Sequence, residues 1–309
     1  MIATLNAIAP VFLIIVIGHI LYRSRLVGAE VWSAIEHICF YLLFPFLIIR
    51  TLSRADLGLL PIAEFAVVLL TAVIGMAVLL FAVRALIAQY YRMSGPTFTS
   101  LFQGATRFHG FMALAIIGPL YGDTGVALAA LALGVMVPVL NVLNVAVLSF
   151  YGDAAEKPTP ATVLVRVAQN PLILACGAGL ILNVTGLPDF AFSAVEIIGS
   201  GGLGLALLAI GAGLRLEHAN ANKTLVTAGV LVRLIGMPLI VLCMAWITGL
   251  DGLPRTVAII AGAVPTASTA YVMARKMGGD AELMANIVTF QIIVAAFTLP
   301  LFIFVAEHL

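Results

Sequence analysis

A chain of 309 residues that is 63% hydrophobic and only 9% charged cannot form a water-soluble globule, in which about a quarter of the residues carry charge. Its formal net charge is +1, and no nucleic-acid partner is expected. The apolar runs are long and unbroken rather than alternating, so a membrane barrel is excluded and the expected class is an all-α polytopic membrane protein.

Ten apolar stretches of about 18 to 25 residues recur, each long enough to cross about 30 Å of hydrocarbon as a helix. They fall at 4–22, 31–52, 62–84, 98–121, 124–149, 162–184, 190–214, 224–248, 254–275 and 281–306. The first has no basic region before it and no small-residue cleavage signature after it, so it is expected to stay as a span. Glu36 and His37 lie in the second. Cys39, Cys176 and Cys243 fall in apolar segments at spacings that suit neither a metal site nor a disulfide framework, and are expected to be small core residues.

The fourth span carries Arg107-Phe108-His109-Gly110 well inside its apolar stretch. A guanidinium at that depth costs a few kcal/mol even on lenient insertion scales, and Arg107 is too deep to snorkel easily. His109 beside it could be a ligand or a satisfied core imidazole. Asn141 and Asn144 lie in the fifth span, and YGDAAEKPTPAT at 151–162 is charged and Pro-rich, as suits a cytoplasmic linker. Arg233 lies in the eighth span, where an ion pair with an acid such as Glu36 or Glu196 is expected at least as much as a binding role.

In the ninth span, Pro265-Thr266-Ala267-Ser268-Thr269-Ala270-Tyr271 places a proline and three hydroxyl residues at about mid-bilayer. The proline removes a helical hydrogen bond, so a break lined by protein or water is expected; the rival is a kinked helix whose hydroxyls rebond the backbone. Asn286 and Gln291 follow in the tenth span. Asn144 and Asn286 are expected to tie helices together, a role worth about 1 kcal/mol each.

APVFLIIVIGHIL at 9–21 lies in register with NPLILACGAGLIL at 170–182, SRADL at 53–57 over LRLEH at 214–218, and Gly122-Asp123 over Gly279-Asp280. Two halves follow, 1–150 and 163–309, joined by the linker. Five spans per half make the second half inverted, which is a transporter signature. Ten Lys and Arg, namely Arg23, Arg25, Arg84, Arg92, Lys157, Arg166, Arg215, Lys223, Arg275 and Lys276, fall on one face against Arg50, Arg54 and Arg255 on the other. That asymmetry places both termini outside the cytoplasm of an inner-membrane protein.

If both spans break, the second halves begin near the centre with partial positive charge and free amides, and Arg107 beside them makes a carboxylate the natural ligand. The expected binding residues are Arg107, His109, Gly110, Pro265, Thr266, Ser268, Thr269, Tyr271, Asn141 and Gln291. Sodium held by Thr266, Ser268, Thr269, Asn141 and Gln291, protons through His109 or His37, and voltage-driven uniport all stay open as coupling modes. No cofactor is expected.

LLFPFLIIRTLSRADL at 42–57, FHGFMALAIIGPLYG at 108–122, the tract at 170–182 and PTASTAYVMARKMGGDAEL at 265–283 resemble the auxin efflux carrier family. That family includes plant PIN-FORMED carriers and bacterial permeases described for malonate and malate. The resemblance covers essentially the whole chain. It implies a scaffold bundle and a transport bundle, with helices four and nine crossing in unwound segments, similar to bile acid sodium symporters, and it makes Pro265 the crossover proline. Plant members have a second crossover proline, and an Asn, in helix four. Here the corresponding stretches read Ala113-Leu114-Ala115 and Phe108-His109, with Gly110 as the hinge. A short chain with a membrane Arg is more similar to the dicarboxylate-type permeases. The expected function is alternating-access transport of a small mono- or dicarboxylate, a homodimer being permitted. The alternatives are an auxin-like carrier of aromatic carboxylates and a non-transporting sensor on the same fold. Neither an HExxH helix nor an intramembrane Gly-Asp supports an enzyme, and no ring of filter residues supports a channel.

Overall fold

A chain in hydrocarbon must satisfy every backbone amide internally, and this one does so with helices. The computed structural model describes residues 2–87, 93–154, 158–214 and 222–309, and no strand occurs among them. In chain order the helices are α1 Ile2–Arg23, α2 Ala29–Ile38, α3 Phe44–Ser53, α4 Ile62–Ile87, α5 Gly95–Thr106, α6 Gly110–Tyr151, α7 Pro160–Ala168 and α8 Pro171–Thr185. They continue as α9 Asp189–Ser200, α10 Gly202–Ala212, α11 Lys223–Leu231, α12 Met237–Thr248, α13 Gly252–Ala263, α14 Thr269–Lys276 and α15 Ala281–His308.

Among the described residues seven helical stretches are long and apolar enough to cross a membrane, or eight if the pair α7 and α8, bent by 48°, is one span. This is a multi-pass membrane protein. The count differs from ten because the expected fourth and fifth spans run together as 57 residues, and because α13 is short. Arg92, Lys157, Arg215 and nearly all of the 214–218 repeat tract lie outside the described residues.

Two spans pass through a π-helical turn, Cys39–Leu43 between α2 and α3 and Val232–Gly236 between α11 and α12. The Phe44 N–H reaches back to the Cys39 carbonyl and the Met237 N–H to that of Val232. Each turn ends just before a proline, Pro45 or Pro238. A proline ring would strike the carbonyl four residues back in a regular helix, and the wider turn moves that carbonyl aside.

The chain separates into two compact units that interleave in sequence. The first comprises Met1–Ile62, Gly110–Gly134 and Arg166–Leu214, and the second Ala63–His109, Val135–Val165 and Arg215–Leu309. Each unit draws on both expected sequence halves.

In the first unit α1 packs on α10, and α3 on α8 and α9. These seams are cut for glycine. A methyl group on Gly18 would land on the Leu208 backbone, one on Gly211 on the Ile15 carbonyl, and one on Gly199 on the Leu47 backbone. Small residues let apolar helices approach backbone to backbone where water supplies no driving force. Gly122, at φ 60° and ψ −156°, turns the chain within α6. Asp123, just after it, and Glu196 both face Arg50, at 3.8 and 3.4 Å. Arg54 pairs with Asp189 at 3.3 Å and stacks on Phe192. The Asn183 amide donates to the carbonyls of Leu52 and Ala55 at 2.9 and 2.8 Å, closing the end of α3. Cys39 and Cys176 are buried as expected, but Cys243 of the second unit is exposed on α12, an apolar helix surface rather than the core.

In the second unit Phe98, Phe102, Ala77 and Val147 form a buried cluster, with Arg84 lying over the rings of Phe98 and Tyr151 at 4.4 and 4.0 Å. Of the two interrupted helices, α5 packs on α11 and α15, and α13 and α14 pack on α15, in the same unit.

Candidate functional site

Helix α5 begins where the Ser94 hydroxyl accepts the Thr97 amide at 3.2 Å and Pro96 occupies the first turn, a position that needs no N–H. It stops at Thr106. Arg107 is extended at φ −70° and ψ 149°, and α6 starts only at Gly110, so residues 107–109 are unwound. Helix α13 ends in the same way. Val264 is extended at φ −67° and ψ 149°, and α14 starts at Thr269. The second break has a local cause, because the residue before a proline is pushed out of the helical region. The first has no proline, yet its backbone angles at Arg107 match those at Val264 within a few degrees.

The two breaks are bonded to each other. The Thr266 hydroxyl donates to the Gly104 carbonyl at 2.7 Å and approaches that of Arg107 at 3.3 Å. Gln291, fully buried on α15, accepts the Thr266 amide at 2.8 Å and donates to the carbonyls of Gly104 and Gly229 at 2.8 and 3.0 Å. Unwinding orphans carbonyls at the end of α5, and these side chains supply the missing donors there. Thr266 and Gln291, both expected to bind ligand, are thus committed to the backbone.

Arg107 is half-buried. Its guanidinium donates to Asn141 Oδ1 at 3.2 Å through Nη2, and to the Met273 sulfur through Nη1. Neither partner carries charge. Among the described residues no acidic side chain stands within ion-pair distance of Arg107. A guanidinium has five donors in a planar fork, and an amide oxygen with a thioether uses only part of it. A carboxylate would both neutralise the charge and take two parallel bonds.

The other expected residues divide plainly. Ser268 is half-buried and Thr269 exposed at the start of α14, one turn before Met273. Tyr271 is half-buried. His109 is buried at 5% exposure, and Pro265 is buried in the break. Gly110 opens α6 in the first unit, where a methyl group would strike the Leu133 side chain. Glu36 and His37 are exposed on α2. Asn144 holds Thr106 at 3.3 Å and donates to the Leu140 carbonyl, a tie between segments as expected, while Asn286 bonds the Glu282 carbonyl on its own helix.

One expectation is corrected. Arg233 does not pair with Glu36 or Glu196: its three nitrogens donate to backbone carbonyls, and Glu196 faces Arg50. A carbonyl freed by an unwound turn carries the partial negative charge that the acid was expected to supply. Sequence reasoning also missed Met273, since a thioether in an apolar helix gives no polar signal.

Residues 3–303 match the family of membrane transport proteins. An uncharacterized transporter of Methanothermobacter thermautotrophicus is 23% identical over 313 residues, covering 96% of each chain. Auxin efflux carrier component 6 of Arabidopsis thaliana is 26% identical over 140 residues, covering 42% of this chain and 24% of that one. Auxin efflux carrier component 2 of Oryza sativa subsp. japonica is 23% identical over 160 residues, covering 46% of this chain and 25% of that one.

Proposed function

This chain belongs to the membrane transport protein family, and on that premise we propose that it carries a small organic anion, a mono- or dicarboxylate such as malonate or malate, across the inner membrane by alternating access. The observation that carries the reading is the Arg107 guanidinium, which among the described residues donates to an amide oxygen and a thioether and to no acid, beside two bonded helix breaks. The ligand set we propose is Arg107 with Asn141, His109, Ser268, Thr269 and Tyr271, while Thr266, Gln291, Pro265 and Gly110 shape the breaks.

We also propose ten passes in two inverted halves. A stretch of 57 residues at 1.5 Å per residue is far longer than one crossing, and Gly122 offers the place to turn back; α13 with α14 supplies one further pass and α7 with α8 another. The matching angles at Arg107 and Val264 favour the repeat. Ten passes put both termini on one side, and basic loops facing the cytoplasm make that side the outer one, so an alkaline phosphatase fused to either end should be active; an inactive fusion beside a working cytoplasmic reporter overturns that topology.

Transport is tested in proteoliposomes with labelled malonate, malate and succinate, and with indole-3-acetate for the aromatic reading that the plant relatives' names favour. Uptake of a dicarboxylate with counterflow against its own gradient is the expected result. Indole-3-acetate uptake alone would move the chain to the aromatic class, and binding without counterflow would make it a sensor.

A further inference from the structure

Arg233 is the largest fully buried side chain among the described residues, at 0% exposure, and it sits in the π-helical turn before α12. Its Nε donates to the Val264 carbonyl at 2.8 Å, Nη2 to that of Ala261 at 3.1 Å, and Nη1 to that of Ala105 at 3.4 Å. Ala105 lies in the last turn of α5, Ala261 in the last turn of α13, and Val264 is the first residue of the second break. One guanidinium therefore spans the carbonyl ends of both interrupted helices.

Those ends are where partial negative charge collects, and in transporters with discontinuous helices they are the places where a sodium ion is held by unwound carbonyls. A metal cation would also need side-chain oxygens from the same stretch. Two candidates are already committed here, Thr266 to the Gly104 carbonyl and Gln291 to three backbone groups. Asn141 turns its oxygen to Arg107.

We propose that Arg233 is a resident cation, covalently tethered, that takes the place of a coupling metal ion at the two half-helix carbonyl ends. It fixes the separation of the breaks and so positions Arg107, which lies two residues beyond Ala105. A planar fork suits this task because its three kinds of N–H point to separate acceptors, whereas a lysine would bring one point charge. The burial of an unpaired charge is offset by hydrogen bonds in which the donor is ionised, which are stronger than neutral ones.

The test needs no substrate, so its failure leaves the transport reading untouched. Thermal unfolding of the purified full chain in detergent is followed in sodium, potassium and choline chloride at equal ionic strength. The wild-type midpoint is expected to be the same in all three. Arg233→Ala is expected to unfold earlier in choline and to regain at least ~3 °C in sodium or in sub-denaturing guanidinium, because either cation can enter the vacated space. Should Arg233→Ala fail to fold, Arg233→Lys, which keeps a charge there, is expected to fold and to ignore sodium. Stabilisation of the wild type or of Arg233→Lys by sodium over choline, or a folded Arg233→Ala indifferent to both cations, overturns the proposal.

Discussion

Replacing Arg107 with glutamine will cost about 2 to 5 kcal/mol of anion binding, the range for removing one partner of a buried, hydrogen-bonded charge pair, and malonate uptake in proteoliposomes will fall to background. Arg107→Lys will keep the charge but lose the two-point grip, and will transport weakly. A sharper variant changes the neighbour. Asn141 Oδ1 stands 3.2 Å from the guanidinium, so Asn141→Asp puts a carboxylate where the substrate's should go. That variant should be as stable as the wild type or more so, yet should not transport. An Arg107→Gln protein that folds and keeps wild-type affinity for every anion carried would make Arg107 structural. Unchanged transport by Asn141→Asp would remove the substrate from this end of the side chain.

Gln291→Leu is expected to lower the stability of the second unit by about 2 to 4 kcal/mol. One side chain there satisfies the Thr266 amide and bonds the carbonyls of Gly104 and Gly229. Leucine fills much of the volume but leaves the Thr266 N–H buried without an acceptor, at roughly 1 to 3 kcal/mol, and removes two donors. The average hydrogen bond between membrane helices is worth only about 0.6 kcal/mol, because the unfolded chain in a membrane also finds partners. The larger figure is expected because the Thr266 amide lies in the unwound break and the Gly104 carbonyl at the open end of α5, where the following backbone is unwound. A detergent melt should show the midpoint lowered by roughly 5 to 10 °C. A drop of only a degree or two would show that water or a rearranged Thr266 takes over the orphaned amide.

Hydropathy and length gave the all-helical class and the seven long apolar helical stretches among the described residues, since an apolar run of the right length has little choice in a bilayer. The break in the ninth span was legible because Pro265 acts on its own neighbours. The break in the fourth was legible only as a charge in the wrong place, because nothing local forces Arg107 out of the helix. Arg107 is held by partners far along the chain, Thr266 at its carbonyl and Asn141 and Met273 at its guanidinium. Arg233 and Gln291 announced themselves as polar residues in apolar spans, but their partners are backbone amide and carbonyl groups, which no residue type marks. The expected acid for Arg233 was a search among side chains for a partner that lay in the main chain. The two compact units were hidden for a related reason: the expected halves were read from matching tracts along the chain, whereas the packing units draw on both.

The glycine seam between α1 and α10 bears on mechanics. Packed side chains form a soft layer, and helices separated by such a layer can shear past each other by rotamer changes. Gly18 against Leu208 and Gly211 against Ile15 leave no such layer. Each backbone sits in a notch of the other, so sliding by a fraction of a turn would drive a carbonyl into a neighbouring side chain, and the pair must lift apart before it can slip. Along this seam the first unit therefore behaves as a stiff strut, carrying load without creep.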